Sequence, residues 1–197
     1  MLLGRAAAYA AERGHLPVAL TFDPHPVSVV RPERGPLLLT TLADRIRLLG
    51  GAGAEAVLVI PFTRAVAAVS AREFAHTVLV DALHTSMAVV GADFHFGANA
   101  SGDVPTLCAL GRHFGFDVDA VDVQADSVAR LSSTRVRELL EVGDVAGAAE
   151  ILGRPHSVTG PVITGERRGR QLGFPTANLA CPPELALPAD GVYAGRL

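Results

Sequence analysis

Ser86-Met87-Ala88-Val89-Val90-Gly91-Ala92-Asp93-Phe94-His95-Phe96-Gly97 carries an apolar run straight into a glycine-bearing turn with two phenylalanines and a carboxylate. A short apolar run bounded by turn residues reads as a strand, and the polar loop behind it extends to Asp103. Outward from this stretch the pattern changes period repeatedly. C-terminally, a helix is expected over about 105 to 114 and a strand over about 116 to 123. Ser132-Ser133-Thr134 then starts a helix to about 141, and Asp144 begins another that ends near Leu152 and Gly153. N-terminally, Ser70 and Glu73 stand at capping-box spacing ahead of a helix to about 82, Ala56-Val57-Leu58-Val59-Ile60 reads as a buried strand, and Thr41 caps a helix over about 42 to 50. Leu16-Pro17-Val18-Ala19-Leu20-Thr21-Phe22 is a further strand, broken by Asp23-Pro24-His25-Pro26. A helix over about 2 to 13, stopped by Gly14, precedes it. Strands alternating with helices predict an α/β sheet with crossover helices. Residues 156 to 197 lack helical periodicity and carry Gly, Pro and short β-branched runs, so a small β domain is expected beyond a boundary at about 153 to 156.

Composition narrows the chemistry. The 197 residues are 49% hydrophobic, enough for one large domain or one domain and part of another. A net charge of −3 supplies no basic field of the kind that draws nucleic acid, and no nucleic-acid partner is expected. All 17 basic residues are arginine, which excludes a P-loop lysine or a Schiff-base lysine within this chain and routes anion binding through arginine, backbone amides and metal. Cys108 and Cys181 show no C-x-x-C spacing, which points to a reduced, cytoplasmic protein rather than to zinc or a disulfide framework. The apolar opening from Met1 to Ala10 is too short to span a bilayer before Glu12 and Arg13, so an amphipathic helix is preferred to a signal peptide and no membrane partner is expected.

Ligands of open parallel sheets bind beyond the carboxyl ends of the strands. Three segments are expected there. Thr21-Phe22-Asp23-Pro24-His25-Pro26 presents an aromatic ring and an imidazole on a rigid turn, though a stiff loop with a surface histidine reads the same way. In Gly91 to Gly97, Phe94 and Phe96 either grip a planar ligand or form a core-facing β edge. Arg130-Leu131-Ser132-Ser133-Thr134-Arg135-Val136-Arg137 sets hydroxyls and the open N–H groups of a helix start among three arginines, which suits a phosphate and equally a plain N-cap with solvated arginines. A fourth segment, Gly165-Glu166-Arg167-Arg168-Gly169-Arg170-Gln171-Leu172-Gly173-Phe174-Pro175-Thr176-Ala177-Asn178, combines permissive glycines, arginine and hydroxyl and amide oxygens suited to a magnesium–phosphate complex. Its bland alternative is a turn followed by an edge strand.

The last segment resembles the riboflavin kinase signature. Together with Thr21 to Pro26, Val90 to Gly97, Ser132-Ser133-Thr134-Arg135-Val136-Arg137, Leu152-Gly153-Arg154 and Leu187-Pro188-Ala189-Asp190-Gly191-Val192-Tyr193, it makes the chain similar, over essentially its whole length, to the prokaryotic bifunctional riboflavin kinase/FMN adenylyltransferase (FAD synthetase) family. The resemblance implies a Rossmann-like nucleotidyltransferase domain, residues 1–153, that moves AMP from ATP to FMN. It also implies a β-barrel riboflavin kinase domain beginning at 154 and running to 197, with magnesium serving both steps. It places ATP phosphates at Ser133, Thr134 and Arg137 with Arg130 nearby, and flavin at Phe22, His25, Pro26 and Asp93. In the kinase portion it gives Gly165, Gly169 and Gly173 as the phosphate loop, and Thr176 and Asn178 as ligands of magnesium and ATP.

The resemblance also implies differences at both ends. The family begins with a strand and a Gly-x-Phe-Asp-Gly-x-His-x-Gly-His segment, whereas none of the seven histidines here forms an H-x-G-H pair. A nucleotidyltransferase domain without its first strand and a barrel ending near Tyr193, before the kinase's catalytic glutamate, are therefore expected, and no catalytic residue is assigned. The implied consequences are weak adenylyl transfer, low stability from unpaired strand edges, and an upstream in-frame sequence encoding the missing motif. A non-catalytic FMN/ATP-binding remnant is the alternative reading. An unrelated nucleotide-sensing α/β protein is a third.

Overall fold

The expected alternation is present in the computed structural model, which describes residues 1–122, 132–165, 173, 174 and 176–196. Helix α1, Leu2–Arg13, is rich in alanine and leucine and ends at Gly14, whose φ of 67° lets its N–H reach the Ala10 carbonyl. Strand β1, Val18–Asp23, leads to α2, Pro26–Val30. The sequence reading stopped at the prolines and missed α2, which starts at His25 with proline in its first turn. Helix α3, Leu42–Gly51, begins where expected, with the Thr41 hydroxyl accepting from the Asp44 N–H at 3.1 Å and donating to its carboxylate at 2.8 Å.

Strand β2, Ala56–Pro61, is followed by α4, Arg64–Ala67, and α5, Ala71–Phe74. The Ser70 hydroxyl caps α5 by accepting from the Glu73 N–H at 3.2 Å, and the helix continues as a π-helix, Ala75–Ala82. Next come β3, Met87–Gly91, α6, Val104–Phe114, and β4, Asp117–Val121. Helices α7, Ser133–Glu141, and α8, Val145–Leu152, then precede a short antiparallel pair, β5, Val162–Ile163, and β6, Asn178–Leu179.

By compactness the chain divides into Met1–Gly35 with Arg45–Ser127, and Pro36–Asp44 with Val128–Leu197. In the first unit β1 pairs in parallel with β2, Val18 opposite Ala56, and β3 pairs in parallel with β4, Met87 opposite Asp117. Among the described residues these are two separate two-stranded sheets.

Partners across a parallel ladder project to the same face. Asp117 and Asp119 therefore share a face with Met87 and Val89, and α1 lies on it through the ion pairs Arg13–Asp117 and Arg5–Asp119. Ala88, Val90 and Val118 project from the other face onto the buried cluster of Ala71, Ala75, Phe96, Leu107, Leu110 and Phe116. The end of α1 meets the start of β4 and an earlier turn of α1 meets its middle, so helix and strand run antiparallel.

In the second unit Val136, Leu139 and Leu140 recur at i, i+3 and i+4 on α7 and bury one face against Ala148 of α8 and Ala186. Leu38 bridges to Leu185 in parallel, a long-range pairing with no local signature. Leu107 is the largest fully buried side chain of the first unit among the described residues, at 1% exposed. Leu107→Ala is expected to lower unfolding free energy by about 3 kcal/mol through lost transfer energy and an unfilled cavity, read from urea denaturation. A change below about 0.5 kcal/mol, the scale of a surface substitution, would show that this cluster is not the core.

Candidate functional site

The carboxyl ends of β1 and β3 are joined by a row of aromatic rings. Phe62 meets Phe22 edge-on at 5.2 Å, Phe22 lies 6.2 Å from Phe74, Phe74 lies 6.1 Å from Phe96, and Phe96 stacks on Phe94 at 5.4 Å with 14° between the planes. Phe94 and Phe96 thus lie against each other, and Phe96 is buried in the core, which favours the core-facing alternative for this pair over a clamp with a ligand between the rings. Gly97, φ 73°, is required where the loop turns back, since a Cβ there would fall 2.5 Å from the Ala71 nitrogen.

A cavity of about 1460 Å³ lies against this row, lined by Phe22 near the end of β1 and Pro26 beyond it, and by Gly91 at the end of β3 with Phe94 and His95 beyond it. The sequence-predicted flavin residues thus separate into two groups. Phe22 and Pro26 line the cavity. His25 spends its Nδ1 on the Val27 N–H at 3.2 Å, which leaves the proton of the neutral ring on Nε2, and the Asp93 carboxylate folds back over Gly91.

Two further side chains reach this end without a local motif to announce them. Arg45, from α3, donates to the Phe22 carbonyl at 2.8 Å and to the Thr21 hydroxyl at 3.3 Å, fixing the end of β1. The His95 ring bonds through Nδ1 to the Asp93 carbonyl at 2.8 Å; a carbonyl only accepts, so Nδ1 carries the proton and Nε2 is the acceptor of the neutral ring.

In the second unit Ser132 caps α7 by accepting from the Arg135 N–H at 3.1 Å. Ser133 and Thr134 stand exposed in the first turn, and Arg137 follows one turn later on their side of the helix. The Arg137 Nε donates to the Leu37 carbonyl, and burial pulls its pKa below the ordinary arginine value. Arg135 pairs instead with Glu138 at 3.0 Å on the exposed surface. Arg130 and Gly169 fall outside the described residues.

Antiparallel pairing of Ile163 with Asn178 brings Gly165 back to Asn178, whose side-chain amide occupies the space a Cβ on Gly165 would need. Thr176 and Asn178 are exposed, and Gly173 adopts φ 83°. Among the described residues no three His, Cys, Asp or Glu side chains are grouped to hold a metal, and no helix is long and apolar enough to cross a membrane.

Parallel strands alternating with helices define a mixed α/β protein. Residues 1–135 match the FAD synthetase family and residues 152–197 the riboflavin kinase family. The chain belongs to the FAD synthetase family. It is 36% identical over 181 residues to the bifunctional riboflavin kinase/FMN adenylyltransferase of Escherichia coli (strain K12), covering 91% of this chain and 58% of that protein. The identically named protein of Pseudomonas fluorescens is 38% identical over 193 residues, covering 98% and 61%. A solved structure described as a macrolide-efflux protein from Streptococcus pneumoniae is similar with a TM-score of 0.83 at 31% identity, covering 98% of this chain and 62% of that one. The chain therefore spans about three fifths of the length of these relatives.

Asp103, at the far end of the loop after β3, caps α6 by accepting from the Thr106 hydroxyl at 2.6 Å and from its N–H at 2.8 Å. These bonds, with a smaller contribution from the charge of His95, hold its carboxyl below the usual value of 3.8. Because the folded pKa is depressed, the stabilisation is present above the unfolded carboxylate pKa and fades as pH falls through the folded one. Asp103→Asn keeps a capping oxygen and removes the charge. Urea midpoints are expected to separate the two proteins above about pH 4 and to converge below it; a difference independent of pH would contradict the assignment.

Proposed function

We propose that this chain serves flavin-nucleotide biosynthesis, with residues 1–153 as the FMN adenylyltransferase domain and 154–197 as the beginning of a riboflavin kinase domain. Its two parallel strand pairs are taken as halves of one Rossmann-like sheet, and β5–β6 as the start of a small barrel. The observation that carries the reading is the start of α7, where hydroxyls, N–H groups and a tethered guanidinium converge on one helix terminus in a chain that belongs to the FAD synthetase family.

In the first reaction an oxygen of the FMN phosphate attacks the α-phosphorus of ATP. A P–O bond forms to that oxygen, the bond from the α-phosphorus to the bridging oxygen breaks, and pyrophosphate leaves with the electron pair. The attacking phosphate is largely ionised at neutral pH, so no general base is required. The work left to the protein is positioning and charge neutralisation. Ser133 and Thr134 offer hydroxyls to the ATP phosphates, and Arg137 offers its Nη groups while Leu37 holds its Nε. Phe22, Pro26, His25 and Asp93 form the flavin side, the first two as apolar wall and the others as the polar rim.

In the kinase step the riboflavin hydroxyl oxygen attacks the γ-phosphorus of ATP, the bond from that phosphorus to the β,γ-bridging oxygen breaks, ADP leaves with the electron pair, and the hydroxyl proton passes to water. Gly165, Gly169 and Gly173 form the phosphate loop, with Thr176 and Asn178 beside it. These two donors fit magnesium: they are hard, neutral oxygens, and Mg²⁺ takes its charge balance from substrate phosphates rather than from a carboxylate cage. The Asn178 amide already lies in the cradle over Gly165. When bound, the ion supplies charge neutralisation of the transferred phosphoryl group.

A second reading is binding of the same nucleotides without turnover. Calorimetric titration is expected to show binding of both FMN and magnesium-ATP, and Arg137→Ala is expected to weaken ATP about 10- to 100-fold, the scale of a charge-assisted hydrogen bond, leaving FMN within about twofold. An FAD-formation assay on the same sample separates the enzyme from the binding remnant. Absence of heat with either nucleotide, or an ATP affinity indifferent to Arg137, would overturn both.

A further inference from the structure

Arg137 stands on α7, but the carbonyl that receives its Nε–H belongs to Leu37, 100 residues earlier in the chain. Whatever fixes Leu37 therefore fixes the guanidinium. The residue beside it, Leu38, is bonded through both of its backbone groups. Its N–H donates to the Glu184 carbonyl at 2.7 Å, and its carbonyl accepts from the Ala186 N–H at 2.7 Å. Leu39 packs on the α7–α8 cluster, in which Ala186 is buried, and the Ala189 N–H donates to the Leu140 carbonyl of α7 at 2.9 Å. All of these residues belong to the unit formed by Pro36–Asp44 and Val128–Leu197.

The remaining polar group of Ala186, its carbonyl, is taken by the His156 Nε2 at 3.0 Å. A carbonyl only accepts, so Nε2 carries the proton. Burial, with a smaller push from the charge of Arg154, lowers the pKa of this ring from the ordinary 6.5 and favours its neutral form, although the Ala186 bond works the other way. In that form Nδ1 is a bare acceptor, and it is buried without a hydrogen-bond partner among the described residues. The one bond this ring makes is thus the one that holds Ala186.

We propose that His156 is a positioning residue for the nucleotide-phosphate site, acting through Ala186 and Leu38 on the Leu37 carbonyl and so on the Arg137 guanidinium. The inference rests on reading Arg137 as a contact of the ATP phosphates and deepens that reading. His156, Glu184 and Ala186 lie in the portion assigned to the kinase, whereas Arg137 lies in the portion assigned to adenylyl transfer. The kinase portion thereby backs the phosphate site of its neighbour. An arginine side chain has several rotatable bonds to fix when it meets a phosphate, and a tether at Nε fixes them beforehand. Arg135 shows the contrast, since its only recorded partner is Glu138 on its own exposed helix face.

Two substitutions in the full chain test the link. His156→Leu removes the donor, while His156→Gln keeps a donor nitrogen at the distance of Nε2. The first readout needs no nucleotide: solvent exchange of the Arg137 side-chain Nε–H, followed by ¹⁵N NMR. In His156→Leu this exchange is expected to quicken at least about tenfold, and in His156→Gln to stay within about threefold of the unsubstituted chain. Should His156→Leu fail to fold, Ala186→Gly, which frees the backbone at the relay, is expected to quicken it in the same direction. The second readout is calorimetric titration with magnesium-ATP. His156→Leu is expected to weaken binding about 3- to 10-fold, the scale of immobilising one long side chain, and to add less than about twofold once Arg137 is alanine. A residue that merely stabilised the fold would weaken ATP equally with and without Arg137, and that result would overturn the proposal. So would Nε–H exchange indifferent to both His156→Leu and Ala186→Gly. Quickened exchange in a chain that takes up neither nucleotide would uphold the link from His156 to Arg137 and count against the flavin-nucleotide reading alone.

Discussion

Every backbone N–H and C=O removed from water must find a partner, and in a parallel sheet an interior strand finds its partners on two sides. Among the described residues, strands β1 and β3 have theirs on one side. The aromatic row lies across the carboxyl ends of both strands, and α1 covers β3–β4 beside the open edges. Whatever is bound at those ends depends on how far apart the two strand pairs are held. The phenylalanine row sets that distance on one side, and the ion pairs of Arg5 and Arg13 seat α1 against β4. Side-chain contacts alone hold such an arrangement less firmly than a hydrogen-bond ladder, since ring pairs contribute about 0.5–1.5 kcal/mol beyond their area and exposed ion pairs about 0–1 kcal/mol.

Features written in short sequence spans were legible. Thr41, Ser70, Ser132 and Asp144 cap the helices expected of them, because a cap needs only a side-chain oxygen and an N–H three residues on. The strands at Ala56–Pro61 and Met87–Gly91 were equally plain as apolar runs. Helix α2 was not legible, since it is five residues long and its cap is an imidazole rather than a hydroxyl or carboxylate. The π-helix after Phe74 follows from packing in the core and has no pattern of its own. The Leu38–Leu185 bridge joins segments far apart in sequence, beyond the reach of any periodicity.

The site was legible in part for the same reason. A motif names residues without saying where they point. Phe22 and Pro26 do face a cavity, while His25 is engaged in capping and Asp93 turns back on Gly91. Arg45 lies far from every motif in sequence and reaches the end of β1 because α3 packs there. With no lysine in the chain, anion binding falls to guanidinium groups and helix amides, which recognise phosphate by direction as much as by charge.

Amide hydrogen exchange, resolved residue by residue on the chain as it stands, tests the open-edge account most directly. Successive N–H groups of a parallel strand point to opposite sides, so in Val18–Phe22 and Met87–Gly91 the amides directed at β2 and β4 should exchange slowly and the alternate ones, directed at the cavity, fast. Uniform protection along both strands would mean that the facing edges are already paired, and the account would be contradicted.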